Sequence, residues 1–412
     1  MKRVLIVVVG IAVLVVGGTR LGGTRVSGTP IKNATESPPA PANTGLTNTA
    51  GAAQPALGGE TSTVAPTTTV VATTVPGPPS ITMAFSGDIL IHSQLWQKAT
   101  EYNGGTGYDF SPMFARVKPL LDSVDFAICH LEVPIAPPGK QPSTFPLYGA
   151  PKEIVAAIAK AGYDHCSTAS NHSLDQGNAG IDATVNEFDA NGITESGMAR
   201  VQTEIGPKVF EVNGIKFTHL SYAFGFNGLS LPAGEPWRSA LIDPARIIAD
   251  ATKARSMGAQ LVVVSMHWGN ETVTAVTDYQ RKAAKTITAS GVVDLVIGHH
   301  AHVVQQIEKV NGIWTVFGLG NVLSFHPTRK EFPPNSQDGM IVTVKLSLDS
   351  AGKAVVEKPI VYPTWVDKQN GIVIRPVLSD LADPSVSAAT KSQLNISLTR
   401  TSGVVGDYIA QK

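Results

Sequence analysis

Only two cysteines occur in the 412 residues, Cys129 and Cys166. That is too few for a disulfide scaffold or a cysteine-rich zinc site. Charge of one sign is also missing, since 32 Lys and Arg balance 32 Asp and Glu. Net charge therefore gives no reason to expect nucleic acid as a partner, and no basic or aromatic-interleaved stripe supplies one locally. No internal repeat is present. The apolar run at the start, Val4 to Gly18, has 15 residues, short of the roughly 17–25 that a spanning helix needs. Behind the basic Lys2-Arg3 it reads as an export signal. No Ala-x-Ala site follows closely and no cysteine nearby could carry a lipid. An uncleaved signal anchor over residues 1–18 is favoured over a cleaved signal peptide.

Residues 19–80 lack aromatic residues and carry only five charges: Arg20, Arg25, Lys32, Glu36 and Glu60. The segment is rich in Thr, Pro, Ala and Gly. It cannot bury enough apolar surface to offset the entropy of ordering it, so it is expected as a disordered linker. Such a tether would hold a folded domain away from a membrane or wall.

From Ile81 the pattern changes. Apolar runs at Ile81–Phe85, Val124–Ile128, Tyr163–Ala169, Phe217–Tyr222, Leu261–Met266, Val292–Ile297 and Ile313–Phe317 read as strands. Amphipathic helices are expected at Pro151–Ala161, Ala179–Ala190, Pro244–Met257 and Asp278–Ser290, each ending close to a glycine. Strands alternating with helices predict an α/β fold, with sites outside the carboxyl ends of the strands. Met340–Leu348 and Ala354–Tyr362 alternate about a turn and predict a hairpin. The main domain is set at residues 81–378 and a weakly helical C-terminal extension at 379–412.

The strand ends carry the chemistry. They are Gly87-Asp88, His130-Leu131-Glu132, Ser170-Asn171-His172 with Asp175 beyond, His267-Trp268-Gly269, and Gly298-His299-His300-Ala301-His302. The last places three of the ten histidines within four residues. Carboxylates, an amide oxygen and imidazoles suit two cations such as Mn²⁺, Fe or Zn²⁺. A carboxylate can bridge such a pair, which activates water and clamps the oxygens of an in-line displacement. Trp268 could stack on a substrate or cap the core. Cys129 and Cys166 could pair in an exported protein, although two free buried thiols are the simpler expectation.

In that order the motifs resemble the CapA-type capsule-synthesis family associated with poly-γ-glutamate, a branch of the calcineurin-like metallophosphoesterases. The resemblance runs from about Ile81 to about Val322. It rests on Phe85-Ser86-Gly87-Asp88, Leu131-Glu132, Asn171-His172 with Leu174-Asp175 and Gly177, His267-Trp268-Gly269, Gly298-His299-His300 with His302-Val303, and Leu319-Gly320-Asn321. It implies a four-layer α/β/β/α sandwich. It also implies Asp88, Glu132, Asn171, His267, His300 and His302 as ligands of two divalent metal ions. His172 would act as acid or stabilise the leaving oxygen, with Asp175 orienting it, and His299 would be a neighbour facing the adjacent layer. The chain departs from the family pattern in three places. His130 stands where Asn is usual, His92 and Ser93 stand where many members have Arg, and Thr272 follows Glu271 where Tyr is frequent.

The resulting expectation is a membrane-tethered, extracytoplasmic, metal-dependent hydrolase-like protein. It would act on a phosphoester in building, exporting or trimming an anionic polymer such as poly-γ-glutamate. The alternative is a non-catalytic polyanion-binding subunit of a membrane polymer synthase.

Overall fold

The structure is a computed structural model that describes residues 79–327 and 331–411. The expected anchor at residues 1–18 and all but the end of the linker lie outside the described residues. Among the described residues no helix is long and apolar enough to cross a membrane.

In chain order the strands are β1 (Ser80–Ile89), β2 (Phe126–Leu131), β3 (His165–Ser167), β4 (Thr194–Ser196), β5 (Phe210–Val212), β6 (Ile215–Ala223), β7 (Leu261–His267) and β8 (Leu295–His299). They continue as β9 (Ile307–Val310), β10 (Ile313–Val316), β11 (Asn321–Leu323), β12 (Asp338–Leu348), β13 (Ala354–Val356), β14 (Ile360–Asp367) and β15 (Val373–Pro376). Nine form one sheet in the order β15-β14-β12-β1-β2-β3-β4, with β11 on β1 and β13 on β12. Six form a second sheet in the order β5-β6-β7-β8-β10-β9. The fold is therefore a mixed α/β arrangement of two sheets.

Period-two patterning sorts the core. Met83 and Phe85 of β1, Phe126 and Ile128 of β2, Leu261 and Val263 of β7, and Leu295 and Ile297 of β8 share one apolar cluster between the sheets. Their alternates face outward onto helices. Ala127 and Cys129 pack with Ile154 and Ile158 of the helix Glu153–Ala161. Val262, Val264 and Val296 pack with Ile247 of the helix Pro244–Ser256 and Ile287 of the helix Asp278–Thr288. Local signals set the helix ends. The Asp243 side chain accepts from the Ala245 N–H ahead of a first-turn proline, and Thr277 with Gln280 forms a capping box. Gly162 ends the helix Glu153–Ala161 at φ 108°, a left-handed value that a side chain would resist.

β1 to β4 run parallel, as do β6, β7, β8 and β10. Their carboxyl ends thus gather at one end of the inter-sheet layer. Between Phe85 and Asp88, β1 holds one residue more than the β2 stretch Ile128 to His130. This bulge re-aims Asp88. It also needs Gly87, because a Cβ there would collide with the Gly320 carbonyl oxygen.

Two expectations are corrected, and of the two roles open to Trp268 one is selected. Cys129 and Cys166 are joined as a disulfide across the paired strands β2 and β3, with Cα atoms 4.4 Å apart, rather than standing free. Direct cross-strand register brings the two Cβ atoms within bonding reach. The second arm of the hairpin is split. β13 and β14 each pair with β12, and Glu357-Lys358-Pro359 interrupts the run because proline cannot donate to a ladder. Trp268 is fully buried, stacks on Phe317 and donates Nε1–H to the Phe317 carbonyl at 3.0 Å, so it caps the core and offers a substrate nothing.

Residues near the C-terminus form the helix Ala388–Val405. Ser397 donates to Asp338 Oδ1 at 2.7 Å, and the Arg400 guanidinium pairs with the same nearly buried carboxylate.

Candidate metal centre

The inner faces of both sheets turn from apolar to polar toward their carboxyl ends. Phe126-Ile128 continues as His130, Leu261-Val263-Ser265 as His267, and Leu295-Ile297 as His299. Two-residue parity therefore delivers imidazoles from opposite sheets to one place. His130 Nε2 lies 2.9 Å from His267 Nδ1, and His130 stacks on His299 at 4.2 Å between centroids. His267 Nε2 in turn lies 2.8 Å from Asn171 Oδ1.

Asp88 sits at the centre. Its Oδ1 is 3.2 Å from His299 Nδ1, and its Oδ2 is 3.2 Å from His302 Nδ1 and accepts the His300 N–H at 3.1 Å. His300 and His302 adopt φ 84° and 54°. Non-glycine residues rarely occupy that region, and such strain gathers at functional sites. Asn321 holds His302 from behind, with Oδ1 3.0 Å from its Nδ1 and Nδ2 donating to its carbonyl at 3.3 Å.

Glu132 is fully buried, and neither carboxylate oxygen has a hydrogen-bond partner. Oε1 is 3.5 Å from His302 Nε2 and 3.8 Å from His267 Nε2. His300 Nδ1 is likewise buried and partnerless. An uncompensated buried carboxylate costs several kcal/mol, on the order of 3–5, and a divalent cation removes that cost. The donors fit such ions. Glu132, His267 and His300 offer atoms within 4.8 Å of one another, and so do Asp88, Glu132 and His302. Glu132 belongs to both of these groups. Asp88, His130 and His299 form a further group, and Glu271, His300 and His302 another, with Glu271 exposed.

The protonation preferences of His130, His267 and His300 agree. Burial pushes the His267 and His130 imidazoles well below their ordinary value, with neighbouring imidazoles adding to the effect. Burial brings His300 to about 3. Neutral imidazole is the ligand form. Burial opposes ionisation of Asp88, but hydrogen bonds from His299 and His302 outweigh it and hold the carboxyl low. Burial with no donor pushes Glu132 well up. His302 is raised to about 10, its burial being overcome by Glu132 and Asp88. The two carboxylates thus draw a positive charge to this spot.

Of the residues singled out from the sequence, Asp88, Glu132, Asn171, His267, His300 and His302 are brought together. His172 stands to one side, its Nδ1 2.7 Å from Asp175 Oδ2. That bond leaves Nε2 as the free nitrogen of His172, which lines a cavity of 480 Å³ together with His302, His326 and Glu271. His92 also lines it, but its Nδ1 lies 3.1 Å from both Leu90 O and Phe325 N, and it belongs to none of the ligand groups. Asn227 was not singled out. Its Oδ1 accepts from Asn171 Nδ2 at 3.2 Å, and its Nδ2 lies 3.4 Å from His172 Nδ1. It sits at φ 50°, and Asn-Gly in sequence was the available turn signal.

All ten histidines are buried. The two not yet placed, His165 and His219, bridge the sheets at 2.9 Å and are anchored by Thr194 and Ser265.

The architecture and site define a two-sheet α/β protein with a buried histidine–carboxylate centre of metal-binding composition. The chain belongs to the bacterial capsule synthesis protein PGA_cap family, whose model matches residues 82–326. It is 27% identical over 249 residues to the capsule biosynthesis protein CapA of Bacillus anthracis, covering 58% of this chain and 59% of that protein. Against the PGA biosynthesis protein CapA of Bacillus subtilis it is 27% identical over 246 residues, covering 58% and 62%. The match therefore spans about three fifths of the length of these curated relatives. Among solved structures it is similar to the calcineurin-like phosphoesterase YfkN of Bacillus subtilis, at TM-score 0.43 and 11% identity over 79% of this chain and 98% of that one. A second is the NAD nucleotidase of Haemophilus influenzae, at TM-score 0.41 and 12% identity over 79% and 60%. Such distant likeness says nothing about the reaction.

Proposed function

We propose that the protein is an extracytoplasmic, membrane-tethered metal-dependent hydrolase of phosphoesters, built on a four-layer phosphoesterase-type sandwich and acting in the synthesis, export or trimming of an anionic capsule polymer such as poly-γ-glutamate. The observation that carries this reading is the buried Glu132 carboxylate, which accepts no hydrogen bond and stands beside the neutral imidazoles of His267 and His300 and the His302 ring that Glu132 and Asp88 hold cationic, with the His172–Asp175 pair on the cavity side.

Asp88, Glu132, His267, His300 and His302 would hold two divalent ions (Mn, Fe or Zn), with Asn171 Oδ1 beside them. When bound, such ions polarise a phosphoryl oxygen and lower the pKa of water. The chain's own residues do the rest. Asp175 accepts the Nδ1–H of His172 and so fixes the tautomer and direction of the ring. Through Nε2, His172 is placed to hand a proton to, or hold, a leaving oxygen in the cavity. Asn227 and Tyr148 crowd the same ring, Tyr148 edge-on at 4.7 Å. Residues 1–18 as anchor and the buried Cys129–Cys166 disulfide both suit an oxidising compartment outside the cytoplasm. Subunits of a membrane polymer synthase are the natural partners.

The test is metal content and phosphomono- and diester turnover of the full-length protein and of His300→Ala and His172→Ala. Bound metal with turnover lost in His172→Ala supports the hydrolase. Bound metal with no turnover on esters assigns the site to polyanion binding within a synthase. No bound metal overturns both.

A further inference from the structure

The cavity beside the centre has a mixed polar and apolar lining. Its lining includes the buried His172, the buried His302 of the centre, and the exposed Phe145, Leu147 and Leu229. These three are unusually open for their type, at 77%, 47% and 41% exposure. Phe145, Pro146 and Leu147 are consecutive, and Phe332 adds a fourth apolar lining. Exposed apolar side chains gathered at one cavity mouth mark a binding surface rather than chance. The loop is also tied to the chemistry. The Tyr148 N–H that follows it donates at 2.8 Å to Asp175 Oδ2, the same oxygen that holds His172.

Resting on the hydrolase reading, we propose that the substrate is an amphiphilic phosphate ester. Its phosphate would sit at the histidine–carboxylate end and its hydrocarbon chain against Phe145, Leu147 and Leu229. Charge and polarity both match this arrangement. With divalent ions bound, the histidine–carboxylate groups beside the cavity would suit phosphoryl oxygens, and Phe145, Leu147 and Leu229 offer hydrocarbon. A volume of 480 Å³ falls within the roughly 300–1,000 Å³ of small-ligand sites. In the reaction, water adds its oxygen to phosphorus and the phosphorus–oxygen bond to the chain breaks. The departing oxygen takes a proton, leaving the chain alcohol and inorganic phosphate.

The test measures binding and hydrolysis of butyl, hexyl and octyl phosphate by the metal-loaded full-length protein and its Phe145→Ser/Leu147→Ser variant. Both positions are exposed, so folding is not at stake. Affinity by calorimetry should rise about threefold to fourfold for each added methylene that is buried, and this rise should flatten in the variant. Equal affinity for butyl and octyl phosphate overturns the proposal, as does a rise that the variant leaves intact. Phosphate release is scored separately. Chain-dependent binding without release sinks the hydrolase reading and keeps the amphiphile. Release without chain dependence does the reverse.

Discussion

Asp175 Oδ2 lies 2.7 Å from His172 Nδ1 and accepts the Tyr148 N–H at 2.8 Å. One carboxylate oxygen therefore aims the cavity-facing imidazole and anchors the loop that forms the cavity wall. His172→Ala should cut phosphoester turnover by roughly 10²–10⁴-fold while metal content stays at the wild-type level. Asp175→Asn should fall between the two, since its amide still offers an oxygen to Nδ1. Turnover and metal analysis on the same samples check both; loss of metal in His172→Ala would place that residue among the ligands instead.

Glu132 should be dispensable for folding and indispensable for metal. Saturating a site at about 100 times its dissociation constant adds about 2.7 kcal/mol of stability. The wild type should gain that much from Mn²⁺ or Zn²⁺, and Glu132→Gln under about 1 kcal/mol. Without metal, Glu132→Gln should melt at or above the wild type, because a buried carboxylate that accepts no hydrogen bond has been removed while Asp88 still pairs with His302. Paired thermal melts with and without the ion are sufficient.

Burial raises the Asp164 carboxyl to about 6, although it accepts the Ala127 N–H at 2.8 Å. The folded state therefore holds this proton more tightly than the unfolded chain, whose value is near 3.8. The stability so gained is full below about pH 4 and is lost as pH rises through about 6. Relative to the wild type, Asp164→Asn should gain up to about 2 kcal/mol between pH 4 and pH 7. Urea midpoints across that range decide it, and a constant difference would show that Asp164 titrates normally.

The Cys129–Cys166 bridge closes a separation of 37 residues in the buried layer. Replacing both with alanine should cost roughly 2–4 kcal/mol in urea denaturation. With both residues at 1% exposure or less, the native protein should resist reduction until it unfolds. Rapid alkylation of native protein in mild reductant would contradict this.

Much of the fold was legible because apolar parity and helix caps are local. The strand expected at Leu261–Met266 is β7 within one residue, and the helix expected at Pro244–Met257 is Pro244–Ser256. The strand at Val292–Ile297 was set too early, since Val292–Asp294 lead into β8 from the preceding helix. At the site, the residues ending each strand were legible as a set. His130 and His299 were read as a family departure and a neighbour. Parity with Ile128 and Ile297 puts both in the shared layer, but only the sheet-to-sheet register shows that they stack. Asn227 was invisible in another way. It comes from a loop that spatial folding alone returns to His172. The disulfide depended on strand order, since direct pairing of β2 and β3 is what sets the cysteines opposite each other.

Because all ten histidines are interior, the outside of the described domain has no group that ordinarily titrates between about pH 5 and 8. Its electrostatic face toward neighbours and polymer should stay constant as the surroundings acidify, with salt rather than pH modulating its encounters. Beyond the partly buried Asp164, raised to about 6, a proton taken up in that interval enters the interior.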